Sequence, residues 1–353
     1  MEKNNKYAIL SKANARGLNQ RIMIGSHHIL VANATCKYEL NIKRNITILK
    51  GDSASGKTVL VDMIRDYVQN GPDSGITFSC DIPCRVIEGN TWEEQLTPIK
   101  GSIVFIDEGN RFVSSEAFAH YVREGKNYYV LVTREKLSNL PYSVSEIYGI
   151  RSTGKYNDPV PVYHETYHIY EEYLHNLAVG ENISPNEIII EDSNSGYDFF
   201  CSIAQNSRSE MKCCTAGGKS NVYSAVQKRS EHPILIIADG AAFGPEMERI
   251  CELIYSGAEL HLFLPESFEW LILNSGIIKD ISKDEIEHAE NYADSEKYFS
   301  WERYFTNLLI QRTIHTPMAY TKEHLASAYR SSNIIKRILA TIKGVDFNYE
   351  SEN

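Results

Sequence analysis

The strongest chemical signal in the sequence is a run of small residues that ends in a lysine and a threonine: Gly51, Asp52, Ser53, Ala54, Ser55, Gly56, Lys57 and Thr58. Its glycines lack a Cβ, so they allow backbone conformations that turn main-chain N–H groups toward a bound anion. The residues before the run are mostly β-formers, and those after it repeat apolar positions at helical spacing. The sequence therefore predicts a strand, a tight turn and a helix whose positive N-terminus favours anionic oxygens.

The same run fills every position of the pattern G-x-x-x-x-G-K-[ST], and through it the chain resembles the P-loop NTPases. In that family the lysine, here Lys57, reaches the β- and γ-phosphates, and the following hydroxyl, here Thr58, binds Mg²⁺. The alternative is a turn rich in glycine and serine that contains a lysine by chance. Because the sequence has no guanine-reading N-K-x-D motif, we expect ATP rather than GTP.

A pair of carboxylates, Asp107 and Glu108, directly follows the apolar residues 103–106. Four apolar residues that end in two acids are typical of a buried parallel strand whose tip lies beside the phosphate-binding turn. Resemblance to the Walker B pattern assigns Asp107 to the magnesium shell and Glu108 to the base that polarises the attacking water. A strand that merely ends in an acidic turn is the alternative.

The next apolar run, "YYVLV", is followed by Thr133 and Arg134. In a P-loop NTPase, Thr133 at this tip would sense the γ-phosphate. Arg134 or Arg151 would act as an arginine finger, either within the chain or across a homo-oligomer. The alternative for each arginine is an exposed side chain that is only solvated.

Several acids in the second half also follow apolar runs: Glu191, Asp192, Asp198 and Asp239, with Glu266 and Glu269 at a predicted helix start. Carboxylates at the tips of adjacent parallel strands form clusters that bind Mg²⁺, and such metals hold a phosphodiester during in-line attack. The sequence therefore predicts a second magnesium site, in which Glu191 and Asp239 are the principal ligands.

This succession resembles the TOPRIM fold of topoisomerases, primases and overcoming-lysogenization-defect nucleases over residues 186–275. The resemblance matches Glu191 to the first-strand glutamate and Asp239 to the start of an Asp-x-Asp, whose second acid is replaced by Ala241. Asp192 stands where the family has glycine, and Asp198 comes later than the family spacing. Two hypotheses remain open: a metal-dependent nuclease in which Asp192, Asp198 or Glu269 supplies the missing ligand, or a module without catalysis that senses or docks.

His164, Glu165 and His168 spell H-E-x-x-H, a zinc motif when it lies on a helix. The surrounding Val, Thr and Tyr residues alternate with polar ones, which predicts a strand instead. In a strand the two histidines would lie about 13 Å apart, too far to share a metal. We therefore expect no metalloprotease site. Cys80 with Cys84, and Cys213 with Cys214, lack a second ligand pair and are interpreted as ordinary thiols.

Apolar runs alternate with helical segments along most of the chain, which predicts parallel sheets and the α/β class. The predicted order is a P-loop NTPase parallel sheet, a smaller TOPRIM-like α/β domain and a helical C-terminal cap. We place these units at residues 1–180, 186–275 and 276–353, with the first boundary in the stretch 179–187.

The 353 residues carry a net charge of −10, which opposes general attraction to a polyanion. DNA or RNA would therefore need a local basic groove, and the C-terminal segment supplies one candidate face: Arg312, Lys322, Arg330, Lys336, Arg337 and Lys343. A merely solvated helix face is the alternative. The sequence shows neither a membrane-length apolar run nor a secretory signal, and its seven irregularly spaced cysteines suit a reducing cytoplasm.

Together these patterns predict a cytoplasmic protein that binds ATP and hydrolyses it with Mg²⁺. Its nucleotide state would control a TOPRIM-like nuclease acting on DNA or RNA, as in prokaryotic anti-phage defence or genome maintenance. The alternative is an ATPase switch, in a homo-oligomer, whose degenerate TOPRIM-like module binds and regulates a separate effector protein.

Overall fold

A computed structural model describes residues 23–51, 55–152, 162–174, 182–229 and 232–350. Within these residues the protein is a mixed α/β structure with one sheet of nine strands and a second of four. The α/β class predicted from the sequence is confirmed. The two sheets lie on either side of the predicted boundary near residues 179–187, since the first ends at His168 and the second begins at Glu187.

The nine strands of the large sheet come in chain order as β1 (His27–Ala32), β2 (Cys36–Ile42), β3 (Ile46–Leu49), β4 (Thr77–Ser79), β5 (Cys84–Val86), β6 (Ile103–Ile106), β7 (Tyr128–Val132), β8 (Ile147–Ser152) and β9 (Val162–His168). Their spatial order is β4-β1-β2-β9-β8-β3-β7-β6-β5. The run β8-β3-β7-β6-β5 is entirely parallel. The remaining strands form a flank in which β1 pairs antiparallel with both β2 and β4.

Helices cover both faces of the parallel run. They are α1 (Lys57–Asn70), α2 (Trp92–Leu96), α3 (Glu116–Glu124) and α4 (Glu171–Leu174). Every residue of β3, β6 and β7 is buried, as expected for parallel strands covered on both sides. Alternate strand residues enter two cores, one shared with Leu60 and Ile64 of α1 and the other with Phe118 and Val122 of α3. This packing fixes the start of α1 beside the tips of β3, β7 and β6.

The small sheet contains β10 (Glu187–Ile190), β11 (Lys212–Thr215), β12 (Ile234–Ile237) and β13 (Leu260–Phe263), all parallel in the order β11-β10-β12-β13. Its helices are α5 (Ser195–Gln205), α6 (Val222–Gln227), α7 (Met247–Tyr255) and α8 (Phe268–Asn274). Helices α9 (Lys283–Glu287), α10 (Trp301–Thr313) and α11 (Ser332–Leu339) follow. Phe305 and Ile338 from this C-terminal part share a core with Leu271 of α8 and Phe199 of α5.

Short 3₁₀ turns connect these elements at Gly71–Ser74, Arg111–Ser114, Val144–Glu146, Lys219–Asn221, Gly244–Glu246, Ala289–Asn291 and Ser327–Arg330. Among the described ranges, none of the helices has the length and apolar character needed to traverse a bilayer. The strand predicted over the H-E-x-x-H motif is confirmed as β9. The hairpin formed by β1 and β2 was not predicted.

Candidate functional site

The turn between β3 and α1 places a lysine over the carboxyl end of β3. Lys57 opens α1, and its Nζ donates to the carbonyl of Gly51 at 2.8 Å and to Oγ of Ser55 at 2.7 Å. The lysine is only 5% exposed. The charge of Lys57 therefore lies between Gly51 and Ser55, which are the described residues on either side of the gap in the turn. Asp52, Ser53 and Ala54, also predicted to bind phosphate, lie outside the described residues.

Gly56 has a left-handed backbone, with φ of +89°. Oη of Tyr38 on β2 donates to the carbonyl of Gly56 at 3.0 Å, and a Cβ at this glycine would lie 2.7 Å from that Oη. The Tyr38 ring stacks on His164 at 4.4 Å between centroids, and Oγ of Ser152 lies 3.2 Å from Nδ1 of His164. Burial lowers the pKa of His164. His164, the first histidine of the H-E-x-x-H motif, therefore packs against Tyr38, which is hydrogen-bonded to the residue before α1.

The predicted acids Asp107 and Glu108 follow β6, and Thr133 and Arg134 follow β7. Since β3, β7 and β6 are parallel neighbours, these residues and Lys57 share one edge of the sheet. Glu108 pairs with Arg134, with 2.9 Å between Oε1 and Nε. A cavity of about 70 Å³ is lined by Asp107, Glu108, Thr133 and Arg134. Arg151, the other predicted arginine finger, does not line this cavity.

That second candidate, Arg151, lies on β8, and its Nη2 is 3.9 Å from Oε2 of Glu165 on β9. Both side chains are more than half exposed. The pair therefore links neighbouring strands, while Arg134 is the arginine that contacts a predicted catalytic acid.

Thr58 is exposed in the first turn of α1, and Asp107 accepts a 2.8 Å hydrogen bond from the N–H of Glu108. A hydroxyl and a carboxylate are oxygen donors of the kind that Mg²⁺ accepts together with phosphate oxygens and water. Across the described ranges, no three His, Cys, Asp or Glu side chains form a group able to hold a metal by themselves. Magnesium at either predicted site would therefore need ligands from substrate or solvent.

A second cavity, of about 150 Å³, opens at the carboxyl ends of β10 and β12. Its charged lining residues are Glu191, Asp192, Asp239, Glu302 and Lys322. Oε2 of Glu191 accepts a 3.0 Å hydrogen bond from the N–H of Asp239, and Lys322 forms an ion pair with Glu302. The structure thus brings both principal acids of the predicted second site to one cavity, which we call the carboxylate cavity.

Burial raises the pKa of Glu191 to about 7. Burial and then the charges of Glu302 and Glu191 raise the pKa of Asp239 well above its usual value. Burial disfavours the charge on Lys322, yet the adjacent Glu302 carboxylate raises the pKa of this lysine. The acids therefore repel one another in a poorly solvated space, and a bound cation would relieve that repulsion.

The three predicted supplementary acids have different positions. Asp192 lines the carboxylate cavity, where its carboxylate accepts hydrogen bonds from Asn194. Asp198 turns toward the C-terminal segment and lies 3.4 Å from Nη2 of Arg330. Glu269 is 2% exposed and accepts a 2.8 Å hydrogen bond from Oη of Tyr320. Only Asp192 of the three therefore lines the cavity.

The sequence analysis missed Glu302, which lies in the first turn of α10. An acid in the first turn of a helix is common because it favours the helix dipole, so the sequence around Glu302 carries no distinctive signal. Its role emerges only because the packing of α10 on α8 brings it to the tips of β10 and β12.

The predicted basic C-terminal face is divided between separate roles. Lys322 faces the carboxylate cavity, and Arg330 pairs with Asp198. Nη2 of Arg337 donates to the carbonyl of Gly276 at 2.7 Å, just beyond the end of α8. These three cations are therefore not available together as one nucleic-acid surface.

Direct contacts connect the two sheets near both cavities. Lys50, which precedes Gly51, pairs with Glu248 of α7 at 2.8 Å. Oγ of Ser143 and the N–H of Val144 donate to the carbonyl of Gly240, the residue after Asp239, at 3.1 and 3.0 Å. The turn that holds Lys57 and the turn that follows Asp239 are thus both attached to the opposite half of the protein.

Comparison with protein-family models gives no match for this sequence. Comparison with curated protein sequences gives no match either. The proposed function therefore rests on the position of Lys57 and on the residues that line the two cavities.

Proposed function

We propose that this protein binds ATP with Mg²⁺ at the β3–α1 turn and hydrolyses it, and that its nucleotide state controls phosphodiester cleavage at the carboxylate cavity. In this proposal the large sheet belongs to a P-loop NTPase domain and the small sheet to a TOPRIM-like domain. The observation that carries the proposal is the position of Lys57. Its buried ammonium lies across the turn, at the same sheet edge as Asp107 and Glu108.

Each residue of the first site has a chemical role in the proposed hydrolysis. Lys57 and the N-terminus of α1 stabilise negative charge on the transferred phosphoryl group. Thr58 and Asp107 would hold Mg²⁺, which supplies further charge stabilisation. Glu108 would orient the attacking water, and its Oε1 lies 2.9 Å from Nε of Arg134. Separation of this pair would leave that carboxylate oxygen free to accept a hydrogen bond from the water.

At the second site the proposed reaction is hydrolysis of a phosphodiester in DNA or RNA. Water adds to phosphorus, the bond from phosphorus to the leaving oxygen breaks, and that oxygen takes up a proton. Glu191, Asp239 and Glu302 would hold divalent cations, and Lys322 would contact a phosphate oxygen. The support is that these four residues line one cavity although α10 lies far from β10 and β12 in the chain.

The test of the first site is ATP hydrolysis by the full chain carrying Lys57→Ala. We expect turnover to fall about 100-fold or more, because the variant removes a cation from the developing charge. Lys100→Ala is the matched control, since Lys100 is exposed and is remote in sequence from the β3–α1 turn and from the turn after Asp239. Unchanged hydrolysis in the Lys57→Ala protein would refute the proposal.

A second candidate is an ATPase switch whose small-sheet domain regulates a separate effector protein. The observation that favours it is Ala241, which is 3% exposed and stands where a TOPRIM-like site would have its second acid. Incubation of the protein with Mn²⁺, ATP and labelled DNA or RNA distinguishes the two candidates. Cleavage that is lost in Glu191→Ala supports the nuclease, whereas no cleavage under any condition supports the switch.

A further inference from the structure

A groove of about 560 Å³ lies beside the carboxylate cavity. We call it the α10 groove, because Ser300, Glu302, Arg303 and Asn307 line it from α10 and its N-terminal residue. Arg123 of α3 lines the opposite side, so the groove lies between the large-sheet half and the C-terminal helices.

Positive charge predominates in the α10 groove. Its cations are Arg123, Arg303 and Lys322, whereas Glu302 is the one acid among the described residues that line it. Arg303 is exposed and forms no ion pair within the described part of the chain. One N–H group of Arg123 donates to the carbonyl of Asn139 at 2.7 Å, which leaves other guanidinium donors available. In a chain of net charge −10, this local excess of cations favours a polyanion.

The α10 groove borders the carboxylate cavity. Glu302 and Lys322 line both spaces and form an ion pair with each other. A chain of phosphates that enters the groove past Arg303 would therefore meet Lys322 first and then Glu191 and Asp239. This order places cations along the approach and acids at its end.

We propose that the α10 groove binds one strand of a nucleic acid through its phosphates and directs it to the carboxylate cavity. The inference rests on the proposed function of that cavity. Arg123 and Arg303 hold the backbone, and Lys322 contacts the phosphodiester next to the acids. Because arginines that contact phosphate carry no sequence information, binding tolerates different base sequences.

The dimensions of the groove favour a single strand as its occupant. About 560 Å³ is within the range of pockets that enclose one small ligand. A duplex presents two backbones across a major groove about 12 Å wide, whereas a single strand presents one backbone to the cations of the groove. We therefore expect single-stranded oligonucleotides to bind more tightly than a blunt duplex.

The test is binding of fluorescently labelled single-stranded DNA and RNA oligonucleotides to the full-length protein, measured by anisotropy with EDTA so that no cleavage occurs. We expect Arg303→Glu to weaken binding roughly tenfold and to reduce the slope of log K against log salt by about 0.7 for each lost phosphate contact. Arg123→Ala should also weaken oligonucleotide binding. Arg85→Glu is the matched control, since Arg85 is exposed on β5 and does not line the groove.

Two results would overturn the inference: wild-type affinity in both groove variants, or an equal loss in Arg85→Glu. Equal affinity for blunt duplex and single strand would overturn the strand selection. Failure of the proposed cleavage is distinguishable, because binding that depends on Arg303 without any cleavage upholds the groove and refutes the nuclease. Cleavage that requires Glu191 but is indifferent to Arg303→Glu refutes the groove alone. Circular dichroism checks that each variant is folded.

Discussion

The ammonium of Lys50, the residue directly before Gly51, lies 2.8 Å from Oε2 of Glu248 on α7. This ion pair joins the end of the strand that carries the nucleotide turn to a helix of the small-sheet half. Gly240, which follows Asp239, accepts hydrogen bonds from Ser143 and Val144 of the other half. A displacement of the β3–α1 turn would therefore act on the elements that position Asp239.

The first prediction concerns this connection. We expect Glu248→Gln to change the free energy of unfolding by less than about 1 kcal/mol, because Glu248 is half exposed and such pairs contribute little. The ATP dependence of strand cleavage should nevertheless weaken, because the turn loses a charged contact with α7. Cleavage rates with and without ATP measure the effect. Glu252→Gln, an exposed change on the same helix, should leave the ATP response intact, and an unaltered response in both variants would contradict the coupling.

The second prediction concerns the start of α1. Gly56→Ala should destabilise the protein by about 1–3 kcal/mol in chemical denaturation, because a side chain at φ +89° is strained. Gly56→Ala should also destabilise the protein more than Gly257→Ala does. Gly257 has a similar φ of +94°, but nothing lies within 4 Å of the added Cβ. The difference arises from Oη of Tyr38 and Cε1 of His164, which would lie 2.7 and 3.2 Å from the new methyl group.

Removal of that hydroxyl provides a stringent check of this explanation. In a Tyr38→Phe background the extra cost of Gly56→Ala over Gly257→Ala should become smaller, and the remainder comes from Cε1 of His164 at 3.2 Å. Tyr38→Phe alone loses a hydrogen bond worth about 1 kcal/mol. If the extra cost were undiminished without the hydroxyl, the contact with Oη would not contribute to it.

The third prediction is a pH dependence of stability that arises at Glu146. Burial raises the pKa of Glu146 from 4.5 to about 7, against the charges of Arg44 and Lys43. Arg44 is engaged with Glu266 through Nη1 and Oε2 at 2.9 Å, and it leaves its Nε 3.4 Å from Glu146. Glu146 otherwise accepts a hydrogen bond only from Thr47, at 3.3 Å, within the described residues. The folded state therefore favours the protonated acid.

The sign follows from proton binding. Between pH 4.5 and about 7 the folded protein keeps a proton on Glu146 that the unfolded chain loses, so this group's contribution to stability falls as pH rises through that window. The loss is about 1.4 kcal/mol for each pH unit. Unfolding in urea at pH 5, 6, 7 and 8 measures it. Glu146→Gln should show a flatter profile than wild type, and identical profiles would exclude Glu146 as the source.

The fourth prediction compares Glu302, which lines the carboxylate cavity, with Glu269, which does not. Glu302→Gln should weaken Mn²⁺ binding, measured by calorimetry, by about tenfold or more, because Glu302 lines the carboxylate cavity. Glu269→Gln should leave Mn²⁺ affinity near wild type, because Glu269 bonds Tyr320 and does not line that cavity. The reverse ranking of the two variants would mean that Glu269 is the ligand.

The parallel strands were predictable because burial on both faces requires continuous apolar runs, as in β6 and β12. The strand nature of β9 was predictable from its Val, Thr and Tyr content, although its sequence also spells a helical zinc motif. The β1–β2 hairpin was not predicted, since its strands contain His28, Lys37 and Glu39 at outward positions that weaken the apolar signal. Alternation with charged residues is harder to recognise than a continuous run.

For the candidate sites, the sequence indicated which strand ends carry acids but not where each side chain points. Glu191 and Asp239 meet because adjacent parallel strands end at the same sheet edge. Asp198 follows β10 and Glu269 follows β13 in sequence, yet they bond Arg330 and Tyr320 elsewhere. Glu302 enters the cavity only through the packing of α10, a long-range contact that local sequence does not encode.

The central claim is that the β3–α1 turn binds a nucleoside triphosphate. The direct measurement is titration calorimetry of the full chain with a slowly hydrolysed ATP analogue and Mg²⁺, for wild type, Lys57→Ala and the Lys100→Ala control. The account predicts saturable binding to wild type and Lys100→Ala that is lost in Lys57→Ala. Equal binding to all three proteins, or no binding to wild type, would contradict it.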